Sequence, residues 1–396
     1  MTIDLPPPDA DERAHSERLA AVLKDEIARL GPMPFPRFME RCLYAPGLGY
    51  YSAGRTKFGA AGDFVTAPEL GDLFAQTFAR ALAPVLDALG GDADVVELGG
   101  GSGAFAEVAL RALGDAGHAP ARYRILEPSA DLRERQRERL RENLPQALAA
   151  RVEWLDGPPA DVWRGVLFAN EVIDALPATR FSVVNGDVFE EHVVDAGADG
   201  FGWRARPADL LVAAAVRHLE RELGARFADG YRSELLPQLP FWMQAVLGTL
   251  ERGLAVFVDY GYARRDYYRA DRRDGTLACH YRHRMHGDAL RWPGLQDLTA
   301  SVDFSALAEA GESAGLDLGG YVAQGAFLLH AGLQESFADA HAQAGEAARY
   351  ALAQQVKRLT LPGQMGEGFK VMWFTRDADA GPAFAAAAEA DECNRL

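Results

Sequence analysis

The sequence predicts an α/β fold of the Rossmann-like, doubly wound kind, a mostly parallel sheet with helices on both faces. Three observations predict it. Val95-Val96-Glu97-Leu98-Gly99-Gly100-Gly101-Ser102-Gly103-Ala104-Phe105 is an apolar run, then alternate glycines, then a helix start. That is the strand–turn–helix corner at which such sheets meet nucleotides. Short apolar segments alternate with helical ones along much of the chain. Three of those segments end in acids, at Glu127, at Asn170-Glu171 and at Asp259, and ligands of open α/β sheets bind beyond strand carboxyl ends.

Taken in order, residues 1–13 read as a Pro- and Asp-rich tail. Leu19, Val22, Leu23, Ile27 and Leu30 recur at helical spacing, so Ser16 to Leu30 is an amphipathic helix. Gly31-Pro32-Met33-Pro34 ends it, and Phe35 to Leu43 forms a second helix. In Gly62-Asp63-Phe64-Val65-Thr66-Ala67-Pro68-Glu69, Thr66 and Glu69 fit a capping box with Pro68 in the first turn. This predicts a helix from Ala67 to about Leu89, completing a helical cover over 14–90. The Gly-rich loop before it suits either a lid over a ligand or a structural entry.

The core then runs over 91–176. It holds strand 94–98, helix 103–113, strand Tyr123 to Leu126, helix Ser129 to Asn143, strand 152–154 and strand 165–169. An insertion over 177–250 opens with a hairpin, Thr179 to Val184 and Val188 to Val194 around Asn185-Gly186-Asp187, followed by helices. The core resumes over 251–375 with strand 253–258, an inserted loop 261–300 rich in Arg, Tyr and His, helix Phe304 to Ala314, strand 316–323 and a final strand Phe369 to Thr375. Residues 335–355 look helical, and 376–396 read as a poorly ordered tail.

Composition excludes several classes. The chain has 396 residues, 48% hydrophobic and 25% charged, enough to bury a large core. No apolar run approaches the ~20 residues of a membrane span, so no membrane insertion is expected. Met1 to Asp11 lacks the basic n-region of a secretory signal and the arginines of a transit peptide. Cys42, Cys279 and Cys393 are odd in number and far apart, which suits neither a disulfide framework nor zinc. A reduced, cytoplasmic setting is the expectation. A net charge of −16 argues against nucleic-acid backbones and suits a basic peptide partner.

The glycine corner alone leaves its ligand open. Gly99, Gly101 and Ala104 fit the dinucleotide pattern G-x-G-x-x-G/A. Gly99, Gly101 and Gly103 behind Glu97 equally fit the acid-x-G-x-G-x-G turn of enzymes that use S-adenosylmethionine. Glu127, 24 positions after Gly103, lies where a carboxylate for ribose hydroxyls belongs in either case. Asp156 ends the next strand, near where an adenine would sit. In Asn170-Glu171-Val172-Ile173-Asp174, Glu171 and Asp174 fit one side of a helical turn, a pair able to hold a guanidinium by charge-assisted bonds. Asp174 equally fits a cap before Pro177. Asp259 and Tyr260 end strand 253–258 on the same rim. His280, Tyr281 and Gln296 mark a basic, aromatic loop that reads as a substrate wall or a packed connection. His280, His283 and His286 are interleaved with arginines and lack a completing carboxylate or Cys, so no metal is expected. No G-x-S-x-G elbow supports a hydrolase.

With these residues in hand, the chain resembles the MidA family, which includes the mitochondrial complex I assembly methyltransferase and bacterial relatives. The resemblance runs from roughly Gly31 to Thr375. It is carried by GLGYY at 47–51, GDFVTAPEL at 62–70, ELGGGSG at 97–103, LEPS at 126–129, NEVIDALP at 170–177, VDYGY at 258–262, GTLACHYRHRMH at 275–286, QDLTASVDF at 296–304, QGAFL at 324–328 and MGEGFKVMWF at 365–374. It implies a class I methyltransferase sheet using S-adenosylmethionine, with a helical N-terminal extension and an inserted substrate region. It also implies a protein substrate with an accessible arginine. A second copy of the chain is a candidate partner. Carried over by position, Glu97, Gly99, Gly101, Gly103 and Glu127 line the cofactor site, Gly62, Asp63 and Thr66 close over it, and Asn170 and Glu171 face methyl donor and acceptor. One departure is that many relatives have Gly-Pro-Gly where this chain has Gly99-Gly100-Gly101. The rival readings are an NAD-dependent oxidoreductase and a docking factor that keeps the fold without catalysis.

Overall fold

The computed structural model describes residues 5–54 and 66–396. The chain divides into two compact units, each woven from three segments. One comprises Val65–Val172, Pro240–Gly261 and Phe304–Leu396; the other comprises Met1–Phe64, Ile173–Leu239 and Tyr262–Asp303.

The first unit is built on seven strands in the spatial order Asp317–Ala323, Phe369–Arg376, Leu250–Tyr262, Trp163–Asn170, Asp94–Leu98, Tyr123–Leu126 and Val152–Leu155. The last five are parallel, and Phe369–Arg376 runs antiparallel to both its neighbours. Asp94–Leu98 is buried at every position, as expected for a central strand covered on both faces. Helix Leu73–Leu89 supplies one cover through Phe74, Phe78, Leu82 and Val85. Phe105, in the first turn after the glycines, stacks on Phe168 with centroids 4.0 Å apart, and Phe78 packs on both rings. Aromatic pairs of this kind add about 0.5–1.5 kcal/mol each beyond area burial. They clamp the glycine turn to the strand that ends at Asn170.

Two local expectations change in this unit. The helix predicted from Ala67 is two pieces, a 3-10 turn Ala67–Leu70 and the helix Leu73–Leu89, separated by Gly71 at φ 138°. Thr66 makes no side-chain cap, and the Glu69 side chain turns to accept a hydrogen bond from Ser102 Oγ. The stretch 376–396 is held by packing: Phe384 and Ala387 are buried, Glu392 N donates to Tyr321 O at 2.8 Å, and Tyr321 N donates to Asp391 Oδ1 at 2.9 Å. Alternating apolar residues did not announce this tail because its anchors are few and scattered.

The second unit holds an antiparallel sheet, Met33–Pro34, Asp187–Asp195, Thr179–Val184 and Arg232–Leu235, with Phe201–Pro207 also pairing Asp187–Asp195. Asn185 and Gly186, at φ 52° and 81°, make the expected hairpin turn. Helix Ala10–Leu30 begins inside the stretch read as a tail, since Asp9 and Glu12 form a reciprocal capping box. Within 261–300 a second hairpin pairs Ala278–Tyr281 with Arg284–His286 through Arg282 and His283, both left-handed at φ 47° and 58°. That turn has no Asn or Gly, which is why its sequence read as a loop. Among the described residues no helix is long and apolar enough to cross a membrane.

Candidate functional site

The glycine turn lies where the strand order of the sheet reverses. Leu98 pairs with Leu126 on one side and with Ala169 on the other, so the residues just beyond, Gly99, Glu127 and Asn170, share one rim. In open α/β sheets this switch point is the ligand crevice. Gly99, Gly101 and Gly103 have φ 63°, 54° and 80°, a region that side-chain-bearing residues seldom adopt. At Gly99 space adds to the demand, since a Cβ would lie 2.9 Å from Val172 Cγ2. Gly103 starts helix Ala104–Asp115, whose N-terminal amides point a partial positive charge at the rim.

Two acids flank the turn. Glu97 is 4% exposed and accepts from Tyr123 Oη at 2.8 Å. Burial pushes its carboxyl up to about 7; the Tyr123 bond opposes that and the nearby Glu127 adds to it. Glu127 accepts from Ser129 N at 2.9 Å and from Gln136 Nε2 at 3.3 Å. These neutral donors fix the carboxylate in one orientation at the strand end, which suits paired ribose hydroxyls. Asp156 stands apart: its side chain is 96% exposed and pairs with Arg133 Nη1 at 2.7 Å. Arg133 also donates to Glu127 O and Leu155 O, tying the ends of two strands.

Across the turn, Asn170 Nδ2 donates to Glu171 Oε1 at 3.1 Å, and Asn170 Oδ1 is buried with no hydrogen-bond partner among the described residues. Glu171 N donates to Val258 O at 2.9 Å while its backbone is left-handed at φ 52°. A glutamate rarely takes this conformation, and such outliers gather at functional sites. The register Asn170–Val258 brings Asp259 alongside. Asp259 is buried and accepts from Tyr260 N at 2.9 Å; Tyr260 packs on Phe369, centroids 5.4 Å apart. The strand continues through both residues to Tyr262 instead of stopping at Val258.

Other expected site residues fall elsewhere. Glu171 and Asp174 do not share a helical turn, because the left-handed Glu171 breaks it and Asp174 belongs to the second unit. There Asp174 is buried in a turn closed by Leu176 N to Ile173 O, and its own carbonyl accepts from Ala300 N. Tyr281 and Gln296, expected on a substrate wall, are engaged internally. Tyr281 Oη donates to Glu12 Oε2 at 2.9 Å, and Gln296 Nε2 donates to the carbonyls of Asp288 and Ala289. His280 is half-buried, and burial lowers its pKa. Thr66 opens the 3-10 turn that carries Glu69; Gly62 and Asp63 lie outside the described residues. Among the described residues no group of three or more His, Cys, Asp or Glu could hold a metal ion.

Sequence reasoning missed Gln136. It is fully buried in helix Ala130–Asn143, donates from Nε2 to Gly101 O at 2.9 Å as well as to Glu127, and accepts from Trp154 Nε1 at 2.9 Å. A signal was present: Leu132, Gln136 and Leu140 recur four apart, with an amide in the middle of an otherwise apolar, inward-facing row.

The family model described as "Putative S-adenosyl-L-methionine-dependent methyltransferase" matches residues 77–322. The chain is 29% identical over 400 residues to a Drosophila melanogaster protein named protein arginine methyltransferase NDUFAF7 homolog, mitochondrial, covering 92% of this chain and 87% of the relative. Against the Danio rerio protein arginine methyltransferase NDUFAF7 it is 27% identical over 378 residues, covering 88% and 84%. A crystal structure from Burkholderia thailandensis bound to S-adenosyl-homocysteine is similar at TM-score 0.90 and 42% identity, over 99% of this chain and 100% of that one.

Proposed function

The chain belongs to this family of S-adenosyl-L-methionine-dependent methyltransferases, with a class I sheet, and on that premise we propose that it methylates an arginine guanidinium in a protein. The cofactor fits the residues at the rim: a glycine turn where a Cβ would intrude, a glutamate oriented by neutral donors, and a second buried acid beside it. When bound, it supplies an electrophilic methyl group on a sulfonium. In our reading Glu127 takes the ribose hydroxyls, with Glu97 and the backbone of Gly99, Gly101 and Gly103 receiving the methionine part. Asp156 lies toward the adenine, and Thr66 borders the cofactor.

The observation that carries the arginine reading is the Asn170–Glu171 pair, a strained backbone under a carboxylate with a buried acceptor beside it that has no partner among the described residues. A guanidinium offers several N–H donors in a planar fork and is a poor nucleophile while protonated. Glu171 orients that fork and takes a proton as nitrogen attacks, while Asn170 Oδ1 accepts a second N–H. Asp259 is the further acid of this reading, and Tyr260 borders the acceptor; Asp174 and His280 belong to the other unit and are left out of it. Tyr281 and Gln296 are left out of it, because the Tyr281 hydroxyl and the Gln296 Nε2 donate to internal partners. The target class, a protein of the complex I assembly type, rests on the family resemblance and on relatives named protein arginine methyltransferases. The net charge of −16 suits a basic segment around that arginine. A cytoplasmic setting and a homodimer complete the proposal.

The test is labelled-methyl incorporation into a cell lysate by wild type and Glu171→Ala, with mass spectrometry of the product. Wild type is expected to label arginine, and the variant to lose about 10²–10⁴-fold in rate. Equal labelling by both proteins refutes the role of Glu171. Labelling of another residue refutes the arginine target. No labelling across varied lysates favours docking without catalysis. Calorimetry that finds NAD(H) bound and S-adenosyl-homocysteine not bound overturns the cofactor assignment here.

A further inference from the structure

We propose that Gln136 is a positioning residue for the cofactor's ribose, acting by holding Glu127 and the Gly101 peptide in one arrangement. The inference rests on the reading of the glycine corner as the cofactor site. It begins from the orientation of the carboxamide. Trp154 Nε1 can only donate, so the group 2.9 Å from it must be the amide oxygen. The nitrogen is thereby turned toward two acceptors, Gly101 O and Glu127 Oε2. Each of its two hydrogens has a partner, and flipping the amide would set oxygen against two acceptors and nitrogen against a donor. The carboxamide therefore has one orientation, and it transmits that orientation to three elements: the glycine turn, the strand end at Glu127 and the strand Val152–Leu155.

Burial makes the arrangement stiff. Gln136 has no exposed surface, and it sits on the inward row of its helix between Leu132 and Leu140. Hydrogen bonds in such surroundings are stronger than in water, and each member polarises the next. Gly100 leaves room for it: a Cβ there would lie 3.1 Å from Gln136 Nε2 and 2.9 Å from Ile125 Cγ2. A second partner for Glu127, Ser129 N, holds the other carboxylate oxygen. With Gln136 removed, Glu127 Oε2 loses this donor while the Ser129 N bond to the other oxygen remains, and the carboxylate's aim at a vicinal diol is relaxed.

The experiment is calorimetry with S-adenosyl-homocysteine and its 2′-deoxy analogue, on wild type, Gln136→Met, Gln136→Glu, Glu127→Gln and the double variant Glu127→Gln/Gln136→Met. Wild type should favour the ribose over the deoxyribose ligand by about ten- to a hundredfold. Gln136→Met should cut that preference to within about threefold, raising the cofactor KM while kcat at saturation stays within about fivefold. The double variant should show no further loss of preference, since both substitutions act on one contact. Gln136→Glu keeps the shape and the Trp154 bond while setting a carboxylate against Glu127; it should lose the preference too, and it carries the test if the methionine variant does not fold. A purely structural role predicts a different result, equal weakening of both ligands with the preference intact, and that overturns the inference. Wild type that binds the homocysteine without preferring ribose also overturns it but leaves the cofactor assignment standing. Wild type that does not bind it at all overturns both.

Discussion

Each unit of the molecule buries a cluster of carboxylates, and the two clusters are assembled on opposite principles. In the antiparallel sheet of the second unit, Arg180 Nε lies 3.1 Å from Glu191 Oε2 and 3.7 Å from Glu234 Oε1, and its Nη2 lies 2.5 Å from Asp274 Oδ1. Arg232 reaches Glu191 at 2.9 Å, and Thr276 N donates to Glu234 at 2.7 Å. At the glycine corner, Glu97 and Glu127 meet a tyrosine hydroxyl, a backbone amide and a glutamine. Burial pushes Glu97 and Glu234 alike up to about 7. For Glu234, Arg180 works against that rise; for Glu97, the neighbouring Glu127 works with it. The lesson is that burial and perturbed acidity do not by themselves mark a site. A cluster with its own guanidinium braces a sheet, whereas the acid pair oriented by neutral donors is the one we propose receives hydroxyls and positive charge with a ligand.

Three experiments press on this contrast. The largest effect is expected from Arg180→Leu, which leaves Glu191 and Glu234 buried beside a hydrocarbon. Removing one partner of a buried ion network should lower stability by about 3–5 kcal/mol, read from the urea midpoint. An unchanged midpoint would break the claim that this cluster is a brace. Glu127→Gln should do the reverse. Stability should stay within about 1 kcal/mol of wild type, while calorimetry finds S-adenosyl-homocysteine bound about 10–100-fold more weakly. Loss of stability without loss of affinity would make the two clusters alike.

The smallest effect is in pH. Glu97 holds its proton in the folded state up to about 7, above its unfolded value near 4.5. Its contribution to stability is therefore full below about 4.5 and falls away as pH rises toward 7, flattening above that. Glu234 titrates in the same direction, so the two are separated by comparing wild type with Glu97→Gln. A ligand carrying positive charge favours ionised Glu97, so its affinity should rise a few-fold from pH 6 to pH 8 with release of a proton. Glu97→Gln should flatten that rise; a rise that persists in the variant removes Glu97 from the site.

Much of the corner is legible in the sequence because its causes are neighbours along the chain. Alternate glycines require a turn with positive φ, and an acid at the end of an apolar run points to a strand terminus; in the other unit Asn185-Gly186 likewise demands a hairpin. The same local signals failed where a distant partner outbid them. Glu69 left the predicted capping box for Ser102, and Arg282-His283 turned a hairpin in a conformation neither residue prefers. The buried tail around Phe384 likewise depends on contacts far away in sequence.

Sequence by itself determined the α/β class, the strand that leads into the glycines, and the residue types at the strand ends, since these follow from periodicity, turn chemistry and family pattern. Tertiary structure alone decided which acids share a rim. It separated Asp174 from Glu171 by a left-handed backbone, gave Tyr281 to Glu12, and set Gln136 behind the turn where no spacing rule would look for it. The physical reason is that a buried polar atom is placed by the partner that satisfies it, and that partner is chosen by the packing of the sheet and not by proximity along the chain.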